Sequence, residues 1–114
     1  MPQIDAYIFG MISIDGHQYT SDVRIFPDRV KPDWWRERGH VLNMDDIRDV
    51  VSEAPEVIII GTGASGALAV PSGIEREVRA AGIELIVLHT REAIDKHNEL
   101  TGSRHVVTCL HLTC

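Results

Sequence analysis

The chain has 114 residues, 44% hydrophobic and 25% charged, with a formal net charge of −6; that composition is ordinary globular usage and argues against disorder, and the length holds one domain with one core. Residues 41–114 carry eleven acids against six bases and residues 1–40 six against five, so the basic footprint of a nucleic-acid binder is missing. No apolar run approaches the ~20 residues that span a bilayer, so no membrane role is expected.

The start, Met1-Pro2-Gln3-Ile4-Asp5, has neither the basic and apolar regions of a signal peptide nor the Arg-rich pattern of a transit peptide. Residues 4–26 read as β-rich. Ile4, Ala6 and Ile8 alternate with polar partners, and Met11 to Ile14 leads into Asp15-Gly16, a type I′ hairpin signal with Tyr19 in the return strand. Val23, Ile25 and Phe26 form another short strand ended by Pro27. Residues 27–42, with two adjacent tryptophans, read as a long ordered loop with one short strand at Val41-Leu42.

From residue 43 the pattern turns helical. Asn43 is a suitable N-cap, Asp45 and Asp46 suit the positive end of a helix, and Ile47, Val50, Val51 and Ala54 share a face before Pro55. Val57-Ile58-Ile59-Ile60 is the continuous apolar run of a strand buried on both faces. Ser72 with Glu75 predicts a capping box for a helix carrying Ile74, Val78 and Ala81, stopped by Gly82. Ile83 to Leu88 reads as a second buried strand. Thr90 is then expected to cap a helix with Ala93, Ile94, His97 and Leu100 on one face, and a last strand covers about Val106 to Leu112. Strand–helix–strand–helix–strand over 57–112 implies parallel strands with right-handed crossovers. The expectation is a single α/β domain over 1–114, with a mixed, mostly parallel central sheet in its C-terminal half and an N-terminal β-hairpin region.

Gly61-Thr62-Gly63-Ala64-Ser65-Gly66 fits G-x-G-x-x-G directly after a strand, where backbone N–H groups can approach a phosphate. The match is partial. Pro71 and Ser72 place the following helix beyond the motif, and Ile86 to Thr90 offers no acid for a ribose. Ser65 lies one residue short of a nucleophile elbow, with no acid placed to orient His89. Position matters more, because ligands bind at the carboxyl ends of parallel strands. That edge collects Gly61, Thr62, Gly63, Ser65 and Gly66 with His89, Thr90 and Arg91, the candidate site for an anion or phosphate, or for an unidentified enzyme activity. No catalytic residue and no cofactor is assigned.

Cys109-Leu110-His111-Leu112-Thr113-Cys114 has the residue types of a metal site, but a strand puts Cys114 on the opposite face from Cys109 and His111, and no second ligand pair exists. Buried thiols beside a hydrogen-bonded histidine are expected instead. Two cysteines are too few for a disulfide scaffold, which points to a reducing cytoplasm. His17, His40, His97 and His105 read as scattered and unpaired. Trp34-Trp35-Arg36, near Arg24, Arg29, Lys31 and Arg38, is the locally basic, aromatic segment. Adjacent residues of an extended backbone point to opposite sides, so one tryptophan is expected buried (Trp35) and the other exposed, with Trp34 and Arg36 offered to a partner protein or a second copy of the chain.

Tyr19 and Asp22 with Pro27, Trp35-Arg36 and His40, Ile59-Ile60-Gly61-Thr62-Gly63 with Gly66-Ala67-Leu68, Gly82-Ile83, Thr90, Ala93, Asn98 and the ending His111-x-Thr113-Cys114 together carry a resemblance. Over nearly its full length the chain resembles the Mth-type small-domain family, number four-nine-eight among domains of unknown function. Its members include the adipogenesis-associated domain-containing protein and a mitochondrial assembly factor of respiratory complex I. The resemblance implies a three-layer α/β fold, no established enzymatic activity, and a role in protein assembly for some members. Lacking a mitochondrial presequence, this chain is expected to be a free-standing cytoplasmic protein with an interaction or assembly role.

Overall fold

The Asp15-Gly16 pair turns β2 (Met11–Ile14) into β3 (His17–Tyr19) with φ of 48° and 81°, the doubly positive geometry a type I′ turn requires, in a computed structural model that describes residues 2–114. β1 (Ile4–Ile8) pairs antiparallel with β2 and completes a three-stranded sheet. Its alternation departs from the expected one. A bulge between Ile4 and Ala6 inserts one residue, so Ile4 and Tyr7 are buried while Ala6 and Ile8 face outward.

The second sheet has five strands in the order β5-β4-β8-β6-β7. β6 (Val57–Gly61) is central and buried throughout, and pairs in parallel with β8 (Val106–Leu110) and with β7 (Glu84–Leu88), which is an edge strand and largely half-buried rather than the second buried strand expected. β4 (Val23–Phe26) lies antiparallel to β8 and to β5 (Arg29–Lys31), a short strand inside the segment expected to be loop. Val41, in place of a strand, makes isolated bridges to Arg38 and Ala69.

Strand parity builds two cores. Ile58, Ile60, Val107, Cys109 and Phe26 face Trp34, Leu42, Ile47, Val50, Ile74 and Val78. Val57, Ile59, Val106, Leu110, Val23 and Ile25 face Ala93, Ile94 and the three-stranded sheet. The result is three layers with the five-stranded sheet in the middle.

The predicted helix over 43–54 is broken into a 3₁₀ turn at Met44–Asp46 and α1 (Arg48–Ser52). A continuous helix would need the Val50 N–H on the Asp46 carbonyl. Instead Val50 N–H donates to Asp49 Oδ1 at 3.0 Å, and the Asp46 carbonyl accepts the Trp34 indole N–H at 3.0 Å. Pro71 rather than Ser72 holds the N-cap position of α2 (Ser72–Ala80), so the expected capping box does not form. Thr90 is the first residue of α3 (Thr90–Leu100) and uses its hydroxyl elsewhere. His97, on the apolar face of α3, is paired: Nδ1 lies 2.7 Å from Thr108 Oγ1 and Nε2 2.9 Å from the Pro2 carbonyl. Since a carbonyl only accepts, Nε2 carries the proton and Nδ1 accepts from the threonine. Among the described residues no helix is long and apolar enough to cross a membrane.

Candidate functional site

β6, β7 and β8 end in register at Gly61, Leu88 and Leu110, so the segments that follow them meet at one edge. The candidate residues are brought together there. Thr90 Oγ1 accepts the Gly63 N–H at 2.8 Å and donates to the His111 carbonyl at 2.6 Å, lacing the three connections. Thr62 N–H and Oγ1 both reach the Leu88 carbonyl. Arg91 packs over the Tyr7 ring, 5.3 Å from its centroid.

The glycine loop, however, cradles its own chain. Ala64 N–H donates to the Thr113 carbonyl at 2.7 Å, Ser65 and Ala67 N–H to the Cys114 carbonyl at 3.2 and 2.9 Å, and Ser65 Oγ to that same carbonyl at 2.7 Å. The donors a phosphate would use, and the hydroxyl a nucleophile would need, are therefore engaged. A Cβ at Gly63, where φ is 106°, would lie 2.3 Å from the Cys114 carbonyl carbon and 2.9 Å from His111 Cδ2. Gly63→Ala should displace residues 111–114, with about 1–3 kcal/mol lost to backbone strain alone. The readout is hydrogen exchange, in which the Ala64 and Ala67 amides lose protection.

Beside this loop opens a cleft of about 330 Å³ lined by Asp22, Trp35, Arg36, His40, His111 and Thr113 among others. β4 and β8 bring its walls together: Asp22 immediately precedes β4, and His111 immediately follows the antiparallel β8. Asp22 Oδ2 accepts from Arg36 Nη2 at 2.7 Å and from His111 Nδ1 at 2.8 Å, while Oδ1 accepts the Leu112 N–H at 2.7 Å. Burial would push the Asp22 carboxyl up, but His111, the Leu112 amide and Arg36 together outweigh it and hold the group below its ordinary value. An ionised Asp22 only accepts, so His111 Nδ1 carries a proton toward it. In the neutral ring Nε2 is then left as an acceptor, 3.5 Å from Thr113 Oγ1. His40 stands edge-on to His111 with centroids 5.4 Å apart, which corrects the reading of His40 as isolated.

The order of the tryptophans is reversed from expectation. Trp34 is 4% exposed and Trp35 81% exposed. Parity separates them, as predicted, but only the Asp46 carbonyl decides which indole enters the core, since a buried indole N–H needs an acceptor. Arg36, expected with Trp34 to be offered to a partner, is also largely buried. Its side chain is 5% exposed, stacks on Trp34 at 4.7 Å and is ion-paired with Asp22. Asp22, His40, His111 and Thr113 went unrecognised as a site because 89 positions separate Asp22 from His111. Their shared membership in the family resemblance was the available signal.

Two acid-side losses of stability follow. Burial lowers the His97 pKa below 6.5, so its contribution is complete above the unfolded value and falls as pH drops below about 6.5. Asp22, lowered from 3.8, contributes fully above that value and is lost on further acidification. Urea midpoints between pH 8 and 3 should show both limbs, with His97→Gln removing the first.

A larger groove of about 530 Å³ lies at the opposite end of the sheet, between Pro27, Glu53 and His105, where Arg29 is paired with both Asp28 and Glu53. Its other arginine, Arg104, is likewise paired with two carboxylates, Glu56 and Glu84, so the smaller cleft is the better candidate. Cys109 is buried with its thiol pushed up to about 12 by desolvation, which keeps it protonated and unreactive; Cys114 is exposed. Among the described residues no three His, Cys, Asp or Glu side chains are arranged to hold a metal.

A five-stranded mixed sheet with helices on both faces, a small antiparallel sheet packed on one of them, and a cleft closed by the residues after β8 define a class of small three-layer α/β domains. The chain belongs to the family described as protein of unknown function (DUF498/DUF598), whose model matches residues 4–111. It is similar to a conserved hypothetical protein, PH1505 from Pyrococcus horikoshii, at 27% identity and a TM-score of 0.88, covering 98% of this chain and 99% of that one. It is similar to MT938 at 29% identity and a TM-score of 0.78, covering both chains completely. A Mth938-like domain protein from Bordetella pertussis shares the fold, with 18% identity, a TM-score of 0.70, and coverage of 97% of this chain and 85% of that one.

Proposed function

We propose that this chain is a protein-interaction domain, cytoplasmic and without a catalytic step, whose contact surface is centred on Trp35. The observation that carries the reading is the 81% exposure of that indole on a rigid mount. Trp34 N–H donates to the Asp22 carbonyl, the Trp34 ring is in the core, and Arg36 is bonded to Asp22 and Gly39. Exposing so much apolar surface opposes solubility and adds nothing to the core, whereas a preorganised tryptophan is the commonest anchor of a binding hot spot. Trp35 also stands between two clefts, the one over Arg36 and another of about 480 Å³ lined by Arg24, Asp45, Asp46 and Arg48. Ridge, hollows and mixed charge suit a protein partner or a second copy of the chain. The unpaired thiols suit a reducing compartment.

The test is quantitative affinity purification from the source cells with wild-type, Trp35→Ala and Glu75→Ala baits. A partner retained by the first and third and depleted at least ~10-fold by the second, a loss of about 1.4 kcal/mol or more, is the expected result. Equal recovery with all three contradicts it.

A further inference from the structure

The Arg36 guanidinium keeps one donor group unengaged. Nε and Nη2 donate to the Gly39 carbonyl at 3.2 and 3.1 Å, and Nη2 also reaches Asp22. Nη1 is buried and finds no partner among the described residues, on a side chain only 5% exposed. Buried donors are satisfied in the great majority of cases, and an unsatisfied charged one is costly, so this orphan, on a side chain that lines the cleft, points to an acceptor that arrives from outside and draws the guanidinium toward it.

The rest of the cleft fits one kind of acceptor. Asp22 offers little to a cation, because three donors already engage its two oxygens and Arg36 balances its charge. His40, His111 and the Thr113 hydroxyl supply polar groups on the same wall. The chain as a whole is acidic, at −6, so an anion would be held by these particular groups and not by a general positive field. With Nε and Nη2 committed to Gly39 and Asp22, the guanidinium offers an arriving carboxylate or phosphate one charge-assisted contact, through Nη1. The exposed Trp35 indole, on the same rim, offers a face to an apolar or aromatic body.

We propose that the cleft over Arg36 is an oxyanion site, taking the carboxylate or phosphate group of a small molecule whose apolar portion lies against Trp35. This site stands whether or not Trp35 also anchors a protein.

The only two tryptophans of the chain both line this cleft, so intrinsic fluorescence responds to its occupation, and the Arg36 and His40 variants assign the response to it rather than to the neighbouring cleft that the indoles also border. Wild-type protein is titrated with inorganic phosphate, phenyl phosphate, acetate and benzoate, with sodium chloride holding the ionic strength constant. The expected result is a saturable change with millimolar affinity for at least one plain oxyanion, and roughly tenfold tighter binding of its phenyl counterpart. The phosphate and carboxylate arms separate the two sources of the group. Trp35→Ala, read through Trp34, should keep the plain-anion response and lose the gain from the ring. Arg36→Gln should abolish binding. Because that variant can also fail to fold, the exposed His40→Gln serves as the second arm and should weaken binding at least threefold with an unchanged circular dichroism spectrum. No saturable response to any of the four probes, or affinities unchanged in His40→Gln and in folded Arg36→Gln, overturns the proposal.

Discussion

Trp34→Ala should destabilise the protein by ~3–5 kcal/mol, as truncations of buried tryptophans do, whereas Trp35→Ala should change stability by less than about 0.5 kcal/mol, as surface substitutions do. Trp34 is buried against Leu42, Ile47 and Val50, donates its indole N–H to Asp46, and forms the face on which Arg36 stacks. Its removal leaves a cavity between the central sheet and α1, frees the Asp46 carbonyl, and loosens the clamp on Arg36. Trp35 contributes none of these. Urea unfolding followed by far-ultraviolet circular dichroism compares the two variants without relying on the fluorophore each removes. Equal losses would mean that the 34–36 segment does not hold the geometry on which the cleft depends.

Asp22→Ala should be the most damaging polar substitution, at about 3–5 kcal/mol, because it leaves a buried cation without its counter-charge. Three groups lose their acceptor at once: the Arg36 guanidinium, the His111 Nδ1–H and the Leu112 amide. The two ion-pair partners are only 15% and 5% exposed, so water replaces little of what is lost. Asp22→Asn keeps acceptor capacity but removes the charge, and should fall between wild type and Asp22→Ala. Asp22→Ala combined with Arg36→Met should recover part of the loss, since an apolar pair needs no counter-charge, and a double-mutant cycle on urea midpoints measures the recovery. Strict additivity would show that the pair does not interact as the 2.7 Å distance indicates.

The elements with strong periodicity are legible in the sequence alone. The Asp15-Gly16 turn, the buried β6 run Val57–Gly61 and the meeting of Gly63 with Thr90 all follow from local pattern and the geometry of parallel strands. What escaped was set by partners distant in sequence. Residue alternation cannot announce the bulge after Ile4, and so alternation alone points Ile8 inward. Nothing near Asp46 signals that its carbonyl will bond an indole twelve residues earlier and end a helical turn. The glycine loop reads as an anion cradle because its N–H groups are arranged like one, yet carbonyls some fifty residues further along the chain occupy them. Arg36 reads as a partner-facing residue in the sequence because burial of an arginine becomes visible only once Asp22 and His111 are beside it.

The central claim is that the surface around Trp35 is where this domain meets its partner. A photo-activatable benzophenone side chain placed at position 35, and in a parallel sample at exposed Ser103 by the opposite groove, tests it most directly in the source cells. The account predicts a discrete higher-mass adduct from position 35 and none from 103. An adduct from 103 alone, or none from 35, would contradict it.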